Sequence, residues 1–391
     1  MRVLLFGTYD ADAHPRVAVL RDGLRLALED GGGGHTVDEC NAPLGLSTAA
    51  RVSMLRRPWL LPQLASRLAR AWATLIRRVR RRPRPDVVVV GYLGHFDVLL
   101  ARRLFRRSTV VLDHLVGASD TARDRGVKRG LRQRLLRTLD ERALSAADVV
   151  VVDTEEHRAA LPEQHRDRAV VVAVGAPAGW FAAPRDDGTV AHASTATTEG
   201  TDRPAPLRVV FFGLYTPLQG TPVIGGALGQ LADDAQPIEV TMIGSGQDLE
   251  RARRLAAPNR NVTWIDWVQP VDLPTLVAEH DVCLGIFGTG PKALRVVPNK
   301  VYQGAAAGTA IITSDTAPQR RVLGHAATFV PPGDAAALAD ALRHFAARPD
   351  ELAAARAAAH RLALQEFAAD RVVAPLVERL RRSTSRHGAR T

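Results

Sequence analysis

Val87–Val90 and Val149–Val152 are each four valines in a row, with no polar residue to mark a wet face. A β-branched run this short and this uniformly apolar is comfortable as a strand covered on both sides. Similar runs occur at 3–6, 109–112 and 170–174 in the first half of the chain. Helical patterns separate them, among them Val17, Leu20, Leu24 and Leu28, a single apolar stripe at helical spacing. Buried strands alternating with helices predict an α/β fold with a doubly wound parallel sheet.

The rhythm stops at residues 183–206, a polar stretch rich in Ser, Thr, Gly and Pro without a packing stripe, which reads as a flexible linker. It restarts with strand candidates at 209–212, 239–243, 262–265, 282–286 and 310–313. From Asp334 the chain is Ala-, Leu- and Arg-rich and predicted helical almost to its end, with a break near Arg348 and Pro349. The expected organisation is a Rossmann-like domain over 1–182, the linker 183–206, a second Rossmann-like domain over 207–365, and a terminal segment 366–391. Ligands of open parallel sheets bind beyond the carboxyl ends of the strands, so a cleft lined by those ends is the expected site.

Composition excludes some classes. No apolar run is long enough to span a bilayer, and Met1-Arg2 leads straight into a strand, so no signal peptide is expected. The two cysteines, Cys40 and Cys283, are far apart and outside any metal-ligand spacing. A reducing cytoplasm is the expected location. The net charge of +11, mostly arginine, favours anionic partners. Aromatics make up only 5% of the chain, so no nucleic-acid partner is expected. The most basic segment, 67–84, puts Leu68, Trp72, Leu75, Ile76 and Val79 on one helical face. That face reads either as core-facing, with a solvated arginine side, or as peripheral contact with the inner membrane surface.

The stretch from Asp281 to Asp315 holds no acidic residue between its ends, and its only charges are Lys292, Arg295 and Lys300. Gly288 and Gly290 follow a strand, and Pro298 and Asn299 open a predicted helix. A helix start there aims free N–H groups and a positive dipole end at a ligand, and three cations around it form a cradle for a diphosphate. A second loop, Gly244-Ser245-Gly246, also joins a strand to a helix and reads as a nucleotide contact or as a tight turn. No Gly-x-Gly-x-x-Gly follows the first strand, which argues against a nicotinamide dehydrogenase. Asp10 and Asp12 there read as helix caps, with a metal clamp as the competing reading. No metal and no other cofactor is expected. His14 and Arg16 suggest recognition of an anionic or hydroxylated ligand. His114 directly follows the strand candidate Thr109–Asp113, and His95 opens a helix after Gly94.

With these residues in view, the chain resembles the family-4 glycosyltransferases, of an actinobacterial type. The resemblance rests on GTYDADAHPR (7–16), PLQG (217–220), IGSG (243–246), WIDWV (264–268) and GIFGTGPKALRVVPNKVYQGAAAG (285–308). It implies the GT-B fold, with two Rossmann-like domains, and transfer of a sugar from a nucleoside-diphosphate sugar, UDP or GDP, with retention and without a metal. The candidate acceptors, small-molecule or lipid-linked, are a small natural product and a cell-envelope glycan or lipid. Gly213 and Gly220 would flank a loop near the diphosphate. Gly244, Ser245 and Gly246 would line the nucleotide pocket, and the backbone at Val268 would read the base. Lys292, Arg295 and Lys300 would neutralise the leaving group beside Pro298 and Asn299, and His114 would meet the donor sugar. Thr8, Asp10, His14, Arg16 and His95 would face the acceptor, and a terminal helix over 366–382 would return to the first domain. The sequence departs from the family in two places. Gln303 stands where a ribose-binding Glu is usual, with the preceding acidic residue missing, and the turn 213–220 carries no cation. A nucleotide-sugar epimerase and a non-catalytic nucleotide-sugar-binding relative are the competing functions.

Overall fold

The computed structural model describes residues 1–10, 15–29, 34–45, 61–91, 94–115, 117, 130–181, 205–234 and 236–388. The linker expected at 183–206 therefore lies almost wholly outside the described residues. The chain divides into two compact units, Met1–Gly175 with Ala368–Thr391, and Ala176–Phe367.

The first unit holds β1 (Arg2–Gly7), β2 (Thr36–Asn41), β3 (Val87–Val90), β4 (Thr109–Asp113), β5 (Val149–Val152) and β6 (Ala169–Val171). They form one sheet in the order β2-β1-β3-β4-β5-β6, with every pairing parallel. Side chains alternate across a strand, and here both faces are dry. Val87 and Val89 join one core with the helix Pro15–Glu29, while Val88 and Val90 join another with Val98, Leu100 and Ala101 of the helix Asp97–Leu104. That is the physical reason for unbroken valine runs.

The helix Leu61–Val79 lays Leu75 into the second of these cores, with Trp72, Ile76 and Val79 packed against it. Its apolar stripe therefore faces the protein, and Arg67, Arg70, Arg77 and Arg78 are exposed. It begins earlier than the basic run and ends before Arg80, so the last arginines lie beyond it.

The second unit holds β7 (Leu207–Phe212), β8 (Ile238–Ile243), β9 (Val262–Ile265), β10 (Val282–Leu284), β11 (Ala310–Ser314) and β12 (Thr328–Val330). The order is β12-β11-β10-β7-β8-β9, again all parallel. Counted within the unit this is the 3-2-1-4-5-6 order of a dinucleotide-binding sheet, read from the other side. Residues 176–181 belong here too, and Trp180 stacks on Phe212 at 5.5 Å.

Two strands escape the sequence pattern, β2 and β12. Both are edge strands, part exposed, so they lack the continuous apolar run that marks the central ones. After the helices Ala335–Ala347 and Pro349–Leu362 and a short π-helical stretch, the helix Ala369–Gly388 packs in the first unit. Its Val372, Val373, Leu376, Val377 and Leu380 enter the core shared by β1, β3, β4 and β5. The approach to the helix Pro15–Glu29 is so close that a Cβ on Gly23 would lie 2.2 Å from the Ala369 carbonyl oxygen. Both cysteines are buried free thiols. Among the described residues no helix is long and apolar enough to cross a membrane.

Candidate functional site

In each sheet the strand order reverses direction once, between β1 and β3 and between β7 and β10. Loops leaving strands on either side of such a point diverge and open a crevice at the carboxyl edge.

In the second unit the loops after β7, β8 and β10 are locked together through their backbones. The Gly213 N–H donates to the Ile243 carbonyl at 3.0 Å, Tyr215 N–H to Ser245 at 2.9 Å, and Phe287 N–H to Gln219 at 3.0 Å. Gly220 has φ +66° and would place a Cβ 2.4 Å from the Phe287 carbonyl carbon. Gly244 has φ +120° and would place one 2.0 Å from the Gly213 carbonyl oxygen. Only glycine meets both demands, a left-handed backbone and a bare approach. The tight-turn reading of Gly244-Ser245-Gly246 thus has a full structural reason, whatever the exposed Ser245 and Gly246 contact besides. Val268 is half-buried, next to Trp267, which is 71 % exposed.

The helix Asn299–Ala306 starts at this edge, with Pro298 as its extended N-cap, one residue outside the helix. Lys300 does not splay toward solvent as a cradle of three cations requires. It is 4 % exposed, its Nζ lies 3.6 Å from the centre of the Phe211 ring, and it donates a hydrogen bond to Gln219 Oε1. A Cβ on Gly213 would lie 3.4 Å from the same Nζ. The ammonium is therefore seated beneath the 213–220 turn, and burial pulls its pKa down to about 7. Arg295, on the 3-10 turn Ala293–Arg295, donates from Nε to the Pro291 carbonyl at 3.0 Å. Lys292 and Arg295 are half-buried on this turn, apart from the helix that carries Lys300. Asn299 and Gln303 are one helical turn apart, and Gln303 is 6 % exposed.

At the carboxyl edge of the first sheet, polar groups are paired inside the protein. Asp97, in the first turn of its helix, accepts from Thr8 N–H at 2.7 Å, Thr8 Oγ1 at 2.8 Å and Trp72 Nε1 at 2.8 Å. Arg16 is 2 % exposed. It pairs with Asp113 at 3.2 Å and donates to the carbonyls of Val172, at 2.8 Å, and Ala173. An internal ion pair thus occupies the guanidinium expected to meet a ligand. Burial raises the Asp113 pKa and Arg16 opposes it. Asp10 is half-buried, and His14 and Asp12 lie outside the described residues.

His95 and His114 meet with ring centroids 5.6 Å apart at 68°. His95 Nε2 lies 3.2 Å from Asp140 Oδ1. His114 N–H donates to the Val151 carbonyl at 2.8 Å, which fixes its backbone at the end of β4. Burial, with the nearby His95, lowers the His114 pKa to about 4, so its imidazole is neutral at ordinary pH. Gln219, Asp97, Asp113 and Asp140 are the partners that sequence reasoning missed. Only Asp97, an acidic residue just after His95 at a helix start, carried a local signal.

Two all-parallel doubly wound units in one chain, with glycine loops and a lysine-bearing helix at the edge of the second, define a protein of the GT-B class. Residues 9–177 match the family model for the glycosyl transferase 4-like domain, and residues 206–348 match that for glycosyl transferases group 1. The chain belongs to the GT-B glycosyltransferases built from these two domains. No curated protein matches it in sequence. Among solved structures it is similar to sucrose-phosphate synthase from Thermosynechococcus elongatus, with TM-score 0.69 and 16 % identity over 98 % of this chain and 99 % of that one. It is also similar to Anabaena HepE in complex with UDP-glucose, with TM-score 0.61 and 14 % identity over 98 % and 99 % of the two chains. At such identity the likeness speaks for the fold.

Proposed function

We propose that this protein is a retaining glycosyltransferase that takes a sugar from a UDP- or GDP-sugar, without a bound metal, and passes it to a small natural product or a cell-envelope acceptor. The observation that carries the reading is the buried Lys300 ammonium, held by Gln219 under the glycine turn at the start of the helix Asn299–Ala306. When the bond from the anomeric carbon to the diphosphate oxygen breaks, negative charge grows on the leaving group. A preorganised cation in a dry site stabilises that charge more than it stabilises the ground state. Arg295 and Lys292 supply further positive charge from the preceding turn, and Asn299 and Gln303 present hydrogen-bonding groups on one helix face. The UDP-glucose bound to the HepE neighbour supports uridine as the base. His114 is assigned to the donor sugar, and retention to the mechanism, on the family resemblance. The exposed arginines of 67–84 offer an anionic membrane surface a peripheral contact from the cytoplasmic side.

The test is thermal stabilisation by a panel of nucleoside diphosphates, followed by donor turnover in excess EDTA. Stabilisation by UDP or GDP and turnover that survives chelation are expected. Stabilisation by none of them, or turnover lost to EDTA and restored by Mg²⁺ or Mn²⁺, counts against the reading.

A further inference from the structure

His95, His114 and Asp140 come from three elements that sequence analysis had no reason to join. His95 precedes the helix Asp97–Leu104, His114 directly follows β4, and Asp140 sits in the helix Leu131–Ala146. One ring nitrogen from each histidine and one carboxylate oxygen all lie within 4.8 Å of one another. We propose that these three side chains bind a single transition-metal ion of the Zn²⁺ class, leaving a further coordination position open.

Three observations support this. His95 is 6 % exposed, and the Nε2 atoms of His95 and His114 are both buried with no hydrogen-bond partner among the described residues. Buried ring nitrogens are normally satisfied, and two orphans side by side ask for a shared partner. The 3.2 Å between His95 Nε2 and Asp140 Oδ1 is too poorly aligned to count as a hydrogen bond. It does match the edge of a tetrahedron with metal–ligand bonds of about 2.0–2.1 Å, which is roughly 3.4 Å. The rings meet at 68° rather than stacked, and one nitrogen of each comes within 4.8 Å of the other and of a carboxylate oxygen.

The donor set decides the ion. Two imidazoles and one carboxylate suit Zn²⁺, Co²⁺ or Ni²⁺, whereas Mg²⁺ prefers oxygen and water. The three ligands belong to the first unit, and the lysine-bearing helix belongs to the second. Where the proposed function holds, and this clause rests on it, an ion here captures a His114 nitrogen and inhibits transfer, so chelation leaves activity unchanged or raises it.

The test is a Co²⁺ titration of the chelator-stripped full-length chain, read by visible absorption and by thermal shift. One equivalent should give a tetrahedral spectrum that Zn²⁺ abolishes and excess Mg²⁺ does not. His95→Gln and Asp140→Asn, each checked for native circular dichroism, should weaken binding at least about tenfold. Absence of a saturable spectrum in the wild type overturns the site, as does binding that neither variant changes. A Co²⁺ spectrum that Zn²⁺ abolishes, without inhibition of transfer by either ion, upholds the metal site and removes His114 from the donor sugar.

Discussion

Lys300 donates from Nζ to the Gln219 side-chain oxygen, and this bond ties the helix Asn299–Ala306 to the turn that leads into the helix Thr221–Gln230. The turn's lack of a cation, an oddity in the sequence, has a structural counterpart. A neutral amide holds the ammonium in place without neutralising it, so its charge remains available to an anion.

Replacing that ammonium tests its role. Lys300→Ala is expected to lower turnover by about two orders of magnitude or more, equivalent to roughly 3 kcal/mol of transition-state stabilisation. Arg295→Ala should act in the same direction. Steady-state kinetics with the identified donor will decide, and near-normal values for both variants would remove the lysine and arginine from the chemistry.

The depressed pKa of Lys300 links folding to pH. Its folded value is about 7 against 10.5 for a free lysine, so between these values the unfolded chain binds more protons than the folded one. Stability contributed by this group is lowest below about pH 7 and rises as the pH climbs toward 10.5. The difference in melting temperature between wild type and Lys300→Met, followed across that range, should therefore move in favour of wild type. A parallel pair of curves would show that burial does not depress the Lys300 pKa. In the same window, a diphosphate that contacts Lys300 should bind with proton uptake, measurable by calorimetry in buffers of different ionisation enthalpy.

His114→Ala should reduce sugar transfer strongly while nucleoside diphosphate binding stays nearly unchanged, because His114 lies in the first unit and the residues proposed for the diphosphate, Lys292, Arg295 and Lys300, lie in the second. Transfer assays beside calorimetry with the free diphosphate separate the two effects. Equal weakening of both points to a structural histidine.

Gln303→Glu is expected to keep or tighten donor binding by up to about 1 kcal/mol, since a carboxylate accepts from both ribose hydroxyls. The same change should lower the stability of the donor-free protein, because position 303 is 6 % exposed and a carboxylate there loses hydration. Gln303→Ala should weaken binding. Abolished binding in Gln303→Glu with a harmless Gln303→Ala would mean that the side chain does not face the ribose.

Gly23→Ala tests the contact made by the terminal helix. Alanine favours a helix by about 1 kcal/mol, but here its methyl would sit 2.2 Å from the Ala369 carbonyl oxygen. Overpacking should win by about 1–3 kcal/mol, read from denaturant unfolding. Unchanged stability would show that the two helices separate at little cost.

What the sequence made legible follows from burial. The central strands, such as Val87–Val90, are apolar throughout because both their faces are covered, and pattern alone locates them. The edge strand Thr36–Asn41 is half wet, and its Asp38 and Glu39 hide it. The site divides in the same way. Glycines and a lysine near a strand end are visible locally, so the loops at 244–246 and 285–308 stood out, whereas the turn 213–220 was marked only by the family resemblance. Partnerships were not visible, because Gln219 lies 81 residues from Lys300 and Asp113 lies 97 from Arg16. Arg16 looked like a ligand contact for want of its partner, which only the folded sheet supplies.

The helix Ala369–Gly388 completes the core that β1 begins. During synthesis, therefore, the core of the first unit is completed only after residues 176–367 have been made. The second unit can reach its final form on the ribosome, while the first holds an open apolar face until the last helix arrives. The nascent protein carries that face longest, and there a chaperone has the most to protect.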